Sequence, residues 1–263
     1  PDTIAAAIGD GSSLGCRVRF SWEQVVLGSA GGPRHALPLL GQRFILLNGD
    51  TLCNLDLRDL LNTHLTTGAS VTLAIAKNPA PHRYGGVLID TNGWVREFTP
   101  AGDRRQSWHF VGVQIADATV FETLADGDPA ASIGGLYDRL LTHGEQVAAH
   151  HVSERFFDIG TTADYLATAQ AVGAAEKHPS LWLGSRNSVH PTARVKSSVL
   201  WDDVVVGAGC VVTDCILADG VHLPDGTILD RQAVVRIPPI HEQIAPTAGE
   251  TRGGGLLTVP IGD

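Results

Sequence analysis

A short aliphatic repeat rules the C-terminal third of the chain. Val189, Val195, Leu200, Val206, Val211, Leu217, Leu223, Leu229 and Val235 follow one another in steps of 6, 5, 6, 5, 6, 6, 6 and 6 residues, with Gly207, Gly209, Gly220 and Gly226 between them. An amphipathic helix would return its apolar stripe every three or four residues, and a strand alternates every two. A period near six predicts instead a hexapeptide β-helix, in which each hexad forms one side of a triangular coil; the nine positions make roughly three coils. An ordinary run of short antiparallel strands is the alternative, and the four consecutive steps of six favour the β-helix.

Upstream, residues 1–175 alternate between strand and helix signals. Residues 17–22 favour extended structure and precede a glycine-rich segment at 27–33. Residues 44–47 are continuously apolar, which predicts a strand buried on both faces of a parallel sheet, ending in Asn48-Gly49-Asp50. A helix follows, with Asp56 as N-cap, Leu57, Leu60, Leu61 and Leu65 as one stripe, and Gly68 at its C-terminal cap. Residues 70–76 read as a strand, and 86–90 and 94–98 as a hairpin across Thr91-Asn92-Gly93. A strand at 110–115, a helix at 135–142 closed by Gly144, and a strand at 147–152 come next. Thr161 with Asp164 opens a last helix running to about Val172. The alternation predicts an α/β class with a Rossmann-like, mostly parallel sheet, followed by a short left-handed β-helix. The expected divisions are 1–175, a linker at 176–188, the β-helix at 189–237, and an irregular tail at 238–263. Within that tail only 256–261 is expected to order locally, and no function is assigned to it.

With 263 residues the chain can bury a substantial core. Its 19 basic against 28 acidic residues argue against a general polyanion binder, so no nucleic-acid partner is expected. Nucleotides remain possible ligands, because a few local groups and a metal suffice to hold phosphates. Cys16, Cys53, Cys210 and Cys215 form no C-x-x-C pair and are read as buried free thiols in a reducing compartment. No apolar run approaches the length of a membrane span, and no basic-then-apolar signal opens the chain. The expected location is the cytoplasm, with no membrane partner.

Two carboxylates stand out because each directly follows a strand. Asp50 ends Phe-Ile-Leu-Leu-Asn-Gly and Asp158 ends Arg-Phe-Phe. In open parallel sheets ligands bind at the carboxyl ends of strands, and Mg²⁺ takes one or two carboxylates plus phosphate and water. The alternative is a plain turn at Asp50 and a helix-capping role for Asp158. The segment Leu27-Gly28-Ser29-Ala30-Gly31-Gly32-Pro33 would let backbone N–H groups approach a ligand, although it is neither a Walker nor a dinucleotide fingerprint.

These pieces together resemble the sugar-phosphate nucleotidylyltransferases. Residues 27–32 resemble that family's Leu-Gly-Thr-Ala-Gly loop, and residues 44–50 its Val-Asn-Gly-Asp strand end. Tyr84-Gly85-Gly86-Val87 is similar to Tyr-Gly-Val-Val, and residues 157–165 resemble Trp-Phe-Asp-Ile-Gly-Thr-Pro-x-x-Tyr. The matches keep the family's order, and many members carry a C-terminal hexapeptide β-helix. The resemblance implies transfer of a nucleotidyl group from an NTP to a sugar 1-phosphate, giving an NDP-sugar and pyrophosphate. By motif, Asp50 and Asp158 would hold Mg²⁺ and serve catalysis. Gly28, Ser29, Ala30, Gly31 and Gly49 would line the nucleotide, and Gly85 would pass close to the sugar. Glu23 matches a family Glu read as loop support.

The departures are as informative. The family's Gly-x-Gly-Thr-Arg-x-x-Pro triphosphate loop is absent from these 263 residues, so the sheet is expected to lack its first strand and loop, and the chain by itself is expected not to turn over. Where the family has Glu-Lys-Pro after Phe98, this chain has Thr99-Pro100-Ala101-Gly102, leaving Arg104 or Arg105 to replace the Lys charge. His109 stands near a position many members fill with Asn, and either meets the sugar or is a partly buried ring. The chain is most similar to the mannose-1-phosphate guanylyltransferases, and residues 30–40 also look like muramate-type uridylyltransferases. Two other classes stay open: a non-catalytic subunit that binds NDP-sugar beside an active homologue, and a hexapeptide acyltransferase. A homo-oligomer formed through the β-helix is expected.

Overall fold

The computed structural model describes residues 2–153, 155–175, 181–238 and 249–262. The chain packs as two compact units, Pro1–Phe156 and Phe157–Asp263. The first contains, in order, α1 (Asp2–Ile8), α2 (Gly28–Ala36), β1 (Arg43–Leu47), β2 (Thr51–Cys53), α3 (Leu57–Thr67), β3 (Val71–Lys77), β4 (Gly86–Ile89), β5 (Val95–Thr99), β6 (Trp108–Asp117), α4 (Ala118–Glu122), α5 (Tyr137–Thr142) and β7 (Val147–His151). The sheet runs β5-β4-β6-β3-β7, with β1 also bonded to β6. β6 is antiparallel to β1, β3 and β4, and β7 is parallel to β3, so β1, β3, β4 and β7 share one direction. The class is mixed α/β, as the alternation of signals predicts.

β3 explains the core. All of its residues but Lys77 are buried, and the two sides of the strand feed two clusters. Val71, Leu73 and Ile75 join Phe44, Phe121, Leu136 and Tyr137 on one face; Ala74 and Ala76 join Leu60, Val111, Val113 and Ile115 on the other. A central strand covered on both sides loses the alternation of apolar and polar residues.

Local signals held where they rested on capping chemistry. The Asp56 carboxylate accepts from Arg58 N at 2.8 Å, and Gly68 closes α3 with φ 66°. Asp90 anchors the 86–98 hairpin by accepting from Asn92 N and Trp94 N, and only Gly93, with φ 84°, uses the left-handed region.

Four expectations need correction. Residues 17–22 join no ladder. The glycine-rich segment is the helix α2, not a loop. β1 is not buried on both faces: Ile45 and Leu47 are 38% and 60% exposed, because β6 is its one partner among the described residues and it bonds antiparallel. In α3 only Leu60 and His64 are buried, since the i, i+4 pair faces the sheet and Leu57, Leu61 and Leu65 fall to its flanks.

Strand β8 (Phe156–Asp158) leads into the second unit, which continues with α6 (Thr162–Ala175). There follow β9 (Leu181–Leu183), β10 (Ser188–Val189), β11 (Arg194–Lys196), β12 (Ser198–Leu200), β13 (Val205–Val206), β14 (Val211–Thr213), β15 (Ile216–Leu217), β16 (His222–Leu223), β17 (Ile228–Asp230), β18 (Gln232–Arg236), β19 (Thr251–Gly253) and β20 (Leu256–Pro260). Three parallel ladders, β10-β13-β16, β11-β14-β17 and β9-β12-β15-β18, form the walls expected of a β-helix. The alternative of antiparallel strands is therefore set aside for the coils.

The coil repeats every 17 residues, not 18. Ser197, Asp214 and Arg231, each with φ 50°, turn one corner, so β11 passes to β12 and β17 to β18 across a single residue and β14 to β15 across Asp214 and Cys215, and one wall is a residue short. The inward columns are Val206-Leu223, Val195-Val212-Leu229 and Leu200-Leu217-Val234, with Val189 in register with Val206 at the end of its ladder and itself 36% exposed. Val212 and Val234 are buried, whereas Val211 and Val235, read as inward from the run of sixes, are 36% and 37% exposed. Corner side chains tie successive coils: Asp202 accepts from Ser185 N, Asp219 from Asp202 N, Asp225 from Ala208 N, and Thr192 from Gly209 N, at 2.7–2.9 Å.

α6 lies on the outer face of one wall, where Leu166, Val199, Ile216 and Ile261 form a cluster and Trp201 donates its indole N–H to the Tyr165 hydroxyl at 3.1 Å. The coil begins at Leu181, inside the stretch read as linker, and residues 176–180 lie outside the described ones. The ordered tail is longer than 256–261 alone: β20 runs antiparallel to β18, and β19 pairs with β20. Residues 239–248 of that tail lie outside the described ones.

Candidate active site

The strand end that carries Asp50 is built around Gly112. Asn48 N donates to Gly112 O at 2.8 Å. Gly112 has φ 79°, and a Cβ there would lie 2.6 Å from Thr51 Oγ1 and 3.0 Å from Asn48 Cβ. Glycine alone allows this approach. The β3–β6 register shifts between Leu73 and Ile75, opposite the same stretch of β6, so a bulge there carries the contact. The turn then presents Gly49 and Asp50 to solvent, with nothing within 4 Å of a Cβ at Gly49. No hydrogen bond or ion pair engages the Asp50 carboxylate among the described residues, whereas Asp90, Asp103, Asp117 and Asp126 are all held by Arg or His. Asp103 shows what such pairing does: hydrogen bonds from the Arg105 side chain and backbone pull its pKa to about 2.

The glycines of α2 serve close packing. Ala30 N and Gly31 N both donate to Ala130 O, at 2.9 and 3.1 Å, and Ala130 N returns a bond to Leu27 O. A Cβ on Gly28 would meet Ala130 O, and one on Gly31 would meet Asp128 O at 2.6 Å. Ser29 Oγ accepts from Ser132 N at 2.9 Å and bonds to the Ser132 hydroxyl at 3.0 Å. Ala30 is fully buried. Glu23 supports this helix start, as expected, by accepting from Leu27 N at 2.8 Å with its other oxygen over Gly32.

Around Gly85 a third group of residues gathers. Gly85 is exposed and Gly86 buried. A Cβ on Gly85 would lie 2.8 Å from Thr99 O; one on Gly86 would overlap Ser107 Oγ and lie 2.6 Å from Thr99 Oγ1. The His109 ring stacks on Phe156 at 5.1 Å and tilts against Tyr84 at 4.7 Å. Arg105 is clamped between Glu97 and Asp103 by bonds of 2.7–3.2 Å, which removes it as a replacement for the family Lys. Arg104 is exposed and has no ion-pair partner among the described residues.

Asp158 closes β8 in the second unit, half-buried, ahead of a capping box in which Asp164 N donates to Thr161 Oγ1 and the Thr161 hydroxyl donates to Asp164. Its carboxylate also engages no donor or cation among the described residues, and Gly160 leaves it open, a Cβ there lying 3.9 Å away. Asp50 and Asp158 are thus each an open hard-oxygen acceptor, which fits an ion taking one or two carboxylates and completing its shell with phosphate and water. No group of three or more His, Cys, Asp or Glu side chains gathers as a dedicated metal cage among the described residues.

The cysteines divide. Cys210 and Cys215 are buried in the coil core and Cys53 is half-buried, its thiol pushed up by burial, but Cys16 is exposed, against expectation. Reading the sequence missed Ser132 and Asn78, whose roles depend on residues far along the chain or across a loop; the one available signal was Asn78-Pro79 directly after a strand.

Comparison with known proteins agrees with this layout. The nucleotidyl transferase family profile matches residues 1–174, and the GlmU-like C-terminal hexapeptide profile matches residues 158–233. A mannose-1-phosphate guanylyltransferase of Mycobacterium tuberculosis is 27% identical over 248 residues, covering 88% of this chain and 68% of that protein. An N-acetylmuramate alpha-1-phosphate uridylyltransferase of Neisseria meningitidis serogroup B is 32% identical over 180 residues, covering 66% of this chain and 74% of its own length. Against two further relatives the chain spans 50% and 43% of their length. In fold, HddC from Yersinia pseudotuberculosis, solved with GMP-PN, superposes with a TM-score of 0.55 at 23% identity over 65% of this chain and 74% of that one. The chain belongs to the nucleotidyl transferase family and carries a GlmU-like hexapeptide region after its α/β unit.

Proposed function

We propose that this chain contributes to the synthesis of a nucleotide sugar from an NTP and a sugar 1-phosphate, with GDP-mannose as the leading product. The observation that carries the reading is the turn at 48–50, held by Gly112 and offering an Asp50 carboxylate committed to no partner among the described residues. Relatives named for mannose 1-phosphate and for N-acetylmuramate alpha-1-phosphate both support the sugar 1-phosphate class.

In the proposed reaction a sugar-phosphate oxygen attacks the α-phosphorus in line, and pyrophosphate leaves. The residues contribute orientation and charge placement more than covalent chemistry. Magnesium, when bound, supplies neutralisation of the phosphate oxygens, and Asp50 and Asp158 are the carboxylates we assign to hold it. Gly28, Ser29 and Gly49 are assigned to the nucleotide, with Ala30 and Gly31, expected there too, buried behind them and their N–H groups committed to Ala130 O; Gly85 and His109 are assigned to the sugar, and Arg104 to the sugar phosphate. The triphosphate loop has no counterpart in these residues, so the chain alone is expected to release no pyrophosphate. The cytoplasm suits four free thiols and these substrates.

A second reading, a non-catalytic subunit that binds NDP-sugar beside an active homologue, draws on the clamp that occupies Arg105 and on Thr99 in place of an acidic residue. Calorimetry with GDP-mannose and Mg²⁺ tests both. Under the first reading Asp50→Asn weakens binding about tenfold or more and abolishes its Mg²⁺ dependence. Metal-independent binding, unchanged in Asp50→Asn, favours the second; no binding of any NDP-sugar overturns both. We further assign homo-oligomer formation to the β-helix, to be read from light scattering of the chain with and without substitutions on its outer walls.

A further inference from the structure

Gly85 turns one face to solvent while its carbonyl points inward, and what it meets inside is a side chain that the nucleotidyl transferase motifs do not include. Asn78 directly follows β3 and is 6% exposed. Its amide nitrogen lies 3.3 Å from Gly85 O, 3.5 Å from Tyr84 O and 3.4 Å from Ser107 Oγ. Its Oδ1 accepts from Ala80 N at 3.1 Å. One carboxamide thus joins the connection 79–85 to the end of β3 and to Ser107 just before β6, beside the point where the β3–β6 ladder ends at Lys77 and Trp108.

The glycines beside it are shaped by the same cluster. Gly86, where the resembling motif has Val, leaves the space that Ser107 fills, and Ser107 in turn reaches Asn78. Thr99 Oγ1 is buried without a hydrogen-bond partner among the described residues and borders the same space beside Gly86. The connection is also tied to the next loop by Gly102 N, which donates to Pro81 O at 2.7 Å. A glycine pair has the least intrinsic preference for any one conformation, so whatever sets the direction of its backbone must be an outside group. Gly86 is held by the β4–β5 ladder opposite Thr99, and for the Gly85 carbonyl Asn78 is that group: its amide offers donors to carbonyls and an acceptor to a backbone N–H at once.

We propose that Asn78 is the positioning residue for the sugar 1-phosphate, fixing the Tyr84–Gly85 backbone so that the exposed face of Gly85 is presented in one orientation. The proposal rests on the assignment of Gly85 to the sugar made above. Asn78 itself is buried behind the loop and acts through it.

The test uses the full 263-residue chain with two substitutions. Asn78→Asp keeps the acceptor to Ala80 N but sets a carboxylate oxygen against two carbonyls. Asn78→Ser keeps a turn-forming oxygen and loses the reach to Gly85. Hydrogen exchange at residues 83–87 reports the loop, and calorimetry with mannose 1-phosphate and, separately, glucose 1-phosphate reports the sugar side, with GTP as the nucleotide control. The expected result is exchange about tenfold faster at 84–86 with β3 unchanged, and sugar 1-phosphate affinity down about tenfold with GTP affinity within about twofold. Unchanged exchange in both variants overturns the positioning role. Faster exchange with unchanged sugar 1-phosphate affinity overturns its link to the sugar. Equal losses for sugar 1-phosphate and GTP would make Asn78 a general stabiliser and also overturn it. If the unsubstituted chain binds neither sugar 1-phosphate, the assignment of Gly85 fails, and the proposal falls with it.

Discussion

Gly112 and His64 show how much a single residue can carry in this chain. Gly112→Ala would force a Cβ into Thr51 and Asn48 at a left-handed φ, and the expected cost is about 1–3 kcal/mol in urea unfolding, with altered exchange at 48–51. Ala at Gly49, where a Cβ meets nothing within 4 Å, should cost far less; equal effects would remove Gly112 from the account. The His64 side chain is fully buried, 2.9 Å from Thr72 Oγ1 and 3.5 Å from an Asp117 oxygen that Arg43 also holds. Burial first, then the Arg43 charge, pushes its pKa down, with Asp117 opposing. The folded state therefore takes up this proton less readily than the unfolded chain. Stability from His64 is complete above the unfolded pKa of about 6.5 and is lost as pH falls through that value toward the folded one. His150, whose pKa is also pushed down by burial, adds the same sign. The urea midpoint should fall between pH 7 and 5, and His64→Gln should flatten the fall; an unchanged slope would locate it elsewhere.

At the scale of elements, the 17-residue coil gives the sharpest contrast. Val212→Asp places a carboxylate in the coil core and should cost about 3–5 kcal/mol, while Val211→Asp, one residue away on the outer wall, should be nearly neutral. A strict six-residue repeat predicts the reverse order, so thermal or urea unfolding of the pair decides between the two registers. In α3 the same logic sets Leu60→Ala, at about 2–5 kcal/mol, against Leu61→Ala, at a few tenths. The leucine stripe was visible in the sequence, but the facing sheet chose which two positions of it to cover.

For the whole molecule, the informative fact is where the compact units divide. The nucleotidyl transferase profile runs to residue 174, yet residues from Phe157 onward pack with the coil, and α6 buries Leu166 against Val199, Ile216 and Ile261. A chain ended at 175 keeps α6 and removes what it rests on. Its residues 162–175 should lose helicity and exchange freely, where those of the full chain are protected. Protection persisting in the shortened chain would show that α6 has other support. The family itself was legible from motifs in order, and so was the presence of a repeat, but neither told which unit owns the helix between them.

Sequence alone determined what depends on neighbours a few residues apart. The Asp56 and Thr161 caps, the Asp90 hairpin, the order of the Asn-Gly-Asp and Asp-Ile-Gly motifs and a period near six all follow from local backbone chemistry and short spacing. Tertiary structure decided what depends on surfaces meeting from distant parts of the chain. The left-handed corners shorten a coil wall and move Val212 inward; β6, running antiparallel, leaves β1 half exposed; and Asn78 and Gly112 gain their roles from loops 7 and 64 residues away. The Asp50 turn belongs to both: its residues announce a strand end, and the bulge across the sheet holds it open.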